Sequence, residues 1–267
     1  MTRPMQEANI KIISSLKAFL ISVTSNQEYK DLFKMNKVNF TRSRKLPLET
    51  LALLIVKLCK KTLSVEIENF FSDLNSNLSC SVPSFCEQRM KLVPLFFYAW
   101  NANFLNSFYQ EYGSKVKRWN GLRVLGCDGS NISLINKPKL REYFGGQSNQ
   151  NNFFVQAKTF YCYDVLNKMI LFPQIGPYRN GEMNLAYDVI NSGQIQEDML
   201  LIFDRFYSNY KVIALLQWKE TEIKYLIRAR ESIKFVQAFI QSKKLSDVIN
   251  IYPNSAAIDE LKKTVLQ

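Results

Sequence analysis

Leu200-Leu201-Ile202-Phe203-Asp204-Arg205-Phe206-Tyr207 sets four apolar residues before one carboxylate, an arginine and two aromatics. A short apolar run bounded by polar residues reads as a strand covered on both faces, the habit of parallel or central strands. An acid at the carboxyl end of such a strand faces the crevice in which open α/β sheets bind ligands. The pattern recurs upstream in Leu122-Arg123-Val124-Leu125-Gly126-Cys127-Asp128-Gly129-Ser130. A lone Asp-Gly pair is more often a turn than a ligand site. Asp128 therefore draws its weight from Asp204, and the two form the candidate site.

Working outward, residues 123–128 read as a strand that continues or re-enters at 131–134, and 138–144 as a short helical or irregular piece ended by Gly145-Gly146. Residues 147–152 are polar and loop-like. The alternating run 153–165 and the apolar run 169–173 make a hairpin. A helix over 182–192, the Asp204 strand, a helix over 208–218 and a strand over 223–227 complete the series. An antiparallel meander followed by strands joined through crossover helices is the ribonuclease H-like α/β arrangement. In it the fourth strand pairs beside the first, so Asp128 and Asp204 are predicted to meet.

Residues 1–118 read as all helical, with apolar spacing predicting helices over 6–23, 48–61, 64–74, 84–91 and 93–112. The aromatic stripe of the last one (Phe96, Phe97, Trp100, Phe104, Phe108) suits a core better than a platform for bases. The pair 48–61 and 64–74 fits a DNA-reading helix-turn-helix, and equally any packing hairpin of helices. Between the first two predicted helices lies a basic loop with Arg42, Arg44 and Lys45, read either as a phosphate-contacting loop or as a solvated connection.

The chain of 267 residues has a formal charge of +12, with 35 Lys and Arg against 23 Asp and Glu. Residues 1–120 hold 17 basic against 9 acidic side chains, a larger excess than the 18 against 14 of the remainder. That excess favours a polyanionic partner, nucleic acid before membrane. Five scattered cysteines without a C-x-x-C pair speak against a disulfide framework or zinc ribbon. The absence of histidine excludes Ser-His-Asp and Cys-His machinery, histidine general bases and histidine-ligated zinc. No apolar run reaches the length of a membrane span, and a cytoplasmic protein is expected.

Two carboxylates at adjacent strand ends can hold Mg²⁺ or Mn²⁺, hard cations that take oxygen ligands, and so support phosphoryl transfer without histidine. With these elements in place the chain resembles the DDE transposases of bacterial insertion sequences, in particular the insertion-sequence-four group. The resemblance rests on Leu125-Gly126-Cys127-Asp128-Gly129-Ser130, on Leu140-Arg141-Glu142-Tyr143-Phe144-Gly145 and on Ile202-Phe203-Asp204-Arg205-Phe206-Tyr207, the D-R-x-Y spacing being the most specific. Glu182 in Tyr178-Arg179-Asn180-Gly181-Glu182 fits as an accessory acid. Upstream, Phe40 to Pro47 and Pro83 to Arg89 look like the group's DNA-binding region. The likeness spans about residues 40–230.

The resemblance implies DNA transposition: binding of double-stranded DNA at terminal inverted repeats, a homodimer as a further partner, and metal-dependent strand cleavage and transfer by Asp128 and Asp204. Arg42, Arg44, Lys45, Arg205, Tyr207 and Arg228 are then expected at the DNA, and the protein at the nucleoid when bound. For Arg205, Tyr207 and Arg228, plain packing or solvation is the competing reading. The group's third acid lies in a Y-x2-R-x3-E-x6-K signature beyond a β-rich insertion. Tyr225 and Arg228 match its first spacing, but Ser232 stands where the acid belongs and Glu231 is one residue short. The expected organisation is thus 1–118 helical and DNA-binding, 119–230 an incomplete ribonuclease H-like core, and 231–267 the start of the insertion. On that expectation the chain is truncated, holds its metal loosely and is catalytically defective alone. Two alternatives stay open: a DNA-binding or dimerising fragment that interferes with an intact transposase, and a nuclease whose last acid is Glu182 or Glu231.

Overall fold

The computed structural model describes residues 3–41, 46–58, 61–75, 78–217 and 222–250, together with Tyr252, Ser255, Ile258, Asp259 and Lys262. Arg42, Arg44 and Lys45 lie outside these residues. The chain divides into two compact units, Met1–Lys115 and Val116–Gln267. No described helix is long and apolar enough to cross a membrane.

The described elements of the first unit are helices: α1 (Arg3–Ser25), α2 (Gln27–Leu32), α3 (Leu48–Lys57), α4 (Leu63–Asp73), α5 (Val82–Arg89) and α6 (Leu95–Tyr112), followed by a short 3-10 turn. Local chemistry sets their limits. The Asn26 side chain accepts from the Glu28 and Tyr29 amides to start α2, a short helix that the apolar spacing does not reveal. Ser81 caps α5 in the same way, and α6 stops at Gly113 with φ of 47°. Apolar burial holds the unit together, each enclosed Leu or Phe contributing roughly 1.5–3 kcal/mol. Leu51 and Leu54 of α3, Phe85 of α5 and Phe96 of α6 are fully buried. Phe96 meets Phe33 edge to face at 5.5 Å, with Phe19, Phe97 and Trp100 around it. Phe96, Phe97 and Trp100 of the α6 stripe thus feed the core, while Phe104 and Phe108 are half-buried and lie outside that cluster.

The second unit is a mixed sheet with helices, giving the chain ten described helices and a mixed α/β class. Its strands are β1 (Arg123–Ser133), β2 (Gly146–Ser148), β3 (Phe153–Asp164), β4 (Met169–Pro177), β5 (Met199–Phe203) and β6 (Lys224–Ile227). β3 pairs antiparallel with β1, β2 and β4, while β1–β5 and β5–β6 are parallel. The helices are α7 (Pro138–Phe144), α8 (Gly181–Asn191), α9 (Tyr210–Gln217) and α10 (Lys234–Ser242). The β3–β4 hairpin turns on Asp164, a fully buried carboxylate whose Oδ1 accepts from the Leu166 and Asn167 amides. Opposite Tyr161 stand two residues, Phe172 and Pro173, making a bulge with Phe172 at φ of 52°. A bulge on an edge strand accommodates a proline that has no amide to donate.

Of the two open readings of the first strand, continuation holds, and two further expectations change. β1 runs unbroken through Asp128-Gly129, because β3 pairs with both residues, so Asp128 lies within a strand and no turn forms there. Residues 146–148, read as the edge of a polar loop, form β2. β5 is not covered on both faces among the described residues: Met199, Leu201 and Phe203 are buried, Leu200 and Ile202 only half so, and the neighbouring Leu226 is 58% exposed. α8 packs on the buried side.

Candidate functional site

The two acids are brought together by strand register. β1 and β5 run parallel with Cys127 opposite Phe203, so Asp128 and Asp204 follow side by side. β5 ends there, while β1 continues with β3 alone. Both carboxylates are exposed. Asp128 Oδ1 accepts from the Gly129 amide at 2.8 Å, and Asp204 Oδ1 from the Phe206 amide at 2.7 Å, capping a 3-10 turn over Arg205–Tyr207. Each acid therefore keeps its second oxygen free of these bonds.

Beneath the acids the sheet is closed. Cys127 and Cys162 face each other across β1 and β3, both buried, with their sulfurs 3.2 Å apart. Burial and the Cys162 thiol push the Cys127 thiol well above its ordinary range, which keeps it protonated and chemically quiet.

Glu182 opens α8 and lies against Gly129: a Cβ built on that glycine would come within 2.6 Å of Glu182 Cβ and 2.7 Å of its Oε2. Side chains alternate along a strand, so Asp128 projects from the opposite face. Glu182 pairs with Lys158 at 3.8 Å, and the Lys158 ammonium lies 5.2 Å from the Tyr178 ring centre. Among the described residues no group of three or more Cys, Asp or Glu side chains is placed to hold a metal ion.

Beside Asp204 a cavity of about 520 Å³ is lined by Arg205, Phe206, Arg228, Arg230, Glu231 and their neighbours. Its wall continues β6, since the Arg228 amide donates to the Phe203 carbonyl at 3.2 Å. The Arg230 Nε donates to the Arg205 carbonyl, also at 3.2 Å. Among the described residues none of the three arginines has a carboxylate partner, so the cavity presents guanidinium groups to an incoming anion.

Tyr207 does not join them. It is fully buried, its ring 5.4 Å from that of Phe203 and 5.9 Å from that of Phe160, and so it cannot meet a DNA backbone from this position. The arrangement D-R-x-Y has a simple physical cause: the 3-10 turn after Asp204 throws residue 205 outward and residue 207 into the core. Sequence alone did not single out Lys158 as a partner of Glu182. The 2-residue alternation of β3 carried the signal, placing it on the face of Gln156 and Phe160.

The chain is similar to the protein described as "Putative transposase InsZ" from Escherichia coli (strain K12), at 24% identity over 118 residues. The match covers 43% of this chain and 39% of that protein, so the chain spans about two fifths of the length of the curated relative it matches. No family model matches.

Proposed function

We propose that the chain is a DNA transposase of the insertion-sequence-four kind, with a ribonuclease H-like core in which Asp128 and Asp204 act on a phosphodiester. The observation that carries this reading is the parallel register of β1 and β5, with Cys127 opposite Phe203 and the two acids next in line. Their donor set suits Mg²⁺ or Mn²⁺: two adjacent exposed carboxylates, each with one oxygen already fixed by a backbone amide. Such an ion, when bound, supplies a lowered pKa to a water or 3′-hydroxyl and offsets charge on the phosphate. The chain's own part is to bind and orient. Arg205, Arg228 and Arg230 take backbone phosphates beside Asp204, and Arg42, Arg44 and Lys45 hold duplex DNA from the more basic first part of the chain.

A gel-shift with duplexes carrying the terminal repeats that flank the gene tests the reading, together with Mn²⁺-dependent nicking of the same duplexes. Binding weakened about tenfold by Arg228→Ala and sharply by added salt is expected. Nicking that disappears in Asp204→Asn completes the case, and a chain that binds no DNA removes it. A second reading is favoured by the placement of Glu182 on the face opposite Asp128. In it the chain binds end DNA, or pairs with an intact transposase, and does not cut. Retained gel-shift without nicking would select it.

A further inference from the structure

Tyr207 is fully buried, yet among the described residues its hydroxyl has no hydrogen-bond partner. Leaving a buried hydroxyl unpaired costs about 1–3 kcal/mol. A phenylalanine would fill the same space between Phe160, Phe203 and Phe206 without that cost. Gly129 pairs with Phe160 across β1 and β3, the Tyr207 ring lies 5.9 Å from that of Phe160, and Glu182 packs on Gly129, so the phenol and the Glu182 carboxylate share one face of the sheet. Burial first, then the charges of Glu182, Asp128 and Asp204 in that order, push the phenol far above its ordinary range, so it remains a donor at any working pH. Glu182, on the same face, is itself poorly served. Its 3.8 Å pair with Lys158 is its only polar contact among the described residues, and its carboxylate is only partly exposed.

The backbone shows where a link between them matters. β1 is paired on both edges as far as Cys127; from Asp128 onward, among the described residues, only β3 holds it. On the unpaired stretch, Glu182 packs directly against Gly129. Tyr207 belongs to the turn that begins at Asp204. A bond from Tyr207 to Glu182 thus ties the turn bearing one acid to the back of the strand bearing the other.

We propose that Tyr207 is a positioning residue whose hydroxyl donates to the Glu182 carboxylate, directly or through one bridging water, bracing the spacing of Asp128 and Asp204. The torsion at the end of a glutamate side chain is broad, so the carboxylate can turn toward the phenol while its Cβ stays against Gly129. Glu182 then serves the site from behind the sheet.

The test uses the full chain, the variants Tyr207→Phe and Glu182→Gln, and their combination. Each single change is expected to lower Tm by several degrees, and the pair no more than the larger single change, the mark of a shared interaction. In ¹³C-tyrosine spectra the ζ-carbon signal that vanishes in Tyr207→Phe should shift upfield in Glu182→Gln. A Tm left unchanged or raised by Tyr207→Phe, additive losses, or an unmoved ζ-carbon signal overturns the link. The bond is read without DNA or metal, so its failure is distinct from failure of the transposase reading, which gel-shift and nicking decide. Its importance for strand chemistry rests on that reading.

Discussion

The strands β1 and β5 lie side by side, and their two ends treat charge in opposite ways. At the amino-terminal end Arg123 is buried and bonded to Asp198 through Nε at 3.0 Å and Nη2 at 2.7 Å, while Arg118 joins the same carboxylate at 2.8 Å. The Arg123 amide also donates to the Asp198 carbonyl at 2.7 Å. At the other end Asp128, Asp204, Arg205, Arg228 and Arg230 are all exposed, and among the described residues none of them forms an ion pair. Opposite charges are available there, because Asp204 and the three arginines line one cavity. In water such pairs gain little and are readily exchanged for a ligand. The first end spends its charges on holding two strands in register; the second leaves them for something that arrives.

Gly129→Val should break the second end most severely, because on its covered face that end is as tightly filled as the first. With Glu182 Cβ already 2.6 Å from an added Cβ, α8 or β1 must move. A loss of about 3 kcal/mol is expected, read from the denaturant midpoint. Asp198→Asn tests the first end. Asp198 is 35% exposed, so after discounting for solvent its replacement should cost about 1.5 kcal/mol at neutral pH. The pH dependence sharpens this. Burial pushes the Asp198 carboxyl up, but hydrogen bonds from Arg123 and Arg118 outweigh it and hold it below its ordinary 3.8. A lowered folded pKa gives stability that is complete above the unfolded value and lost as pH falls through the folded one. Wild type should therefore lose stability more steeply than Asp198→Asn below about pH 4, in Tm measured across pH.

Apolar runs ending in Asp128 and Asp204 made β1 and β5 legible as strands, and the order of elements, a meander followed by strands joined through helices, made their pairing legible. Apolar spacing over several turns made the helices of the first unit legible. What the sequence hid depends on contacts between distant residues. Asp128-Gly129 has the look of a turn, and only pairing of Gly129 with Phe160 keeps β1 extended. Leu200 to Phe203 has the look of a strand buried on both faces, yet only alternate residues are enclosed. Tyr207 was read both as a DNA contact and as a packing residue; the choice fell to a 3-10 turn that no residue pattern announces. Glu182 and Lys158, 24 positions apart in number, meet because α8 crosses the face of β3 that bears Lys158.

The smallest change in stability should come from the residue on which the functional reading leans hardest. Asp128→Asn keeps the shape of an exposed side chain, and the amide oxygen can still accept from the Gly129 backbone. It also removes a negative charge beside Asp204. A shift within about 0.5 kcal/mol is expected, with stabilisation as the more natural sign. An acid at the amino-terminal end has no such freedom, since Asp198 cannot be neutralised without loosening buried Arg123. Chemical unfolding of Asp128→Asn and Asp198→Asn side by side measures the contrast. If Asp128→Asn costs as much as Asp198→Asn, Asp128 is part of the scaffold and the two ends of the sheet do not differ in kind. If it costs nothing while Mn²⁺-dependent nicking is lost, the unpaired carboxylate is there for its ligand.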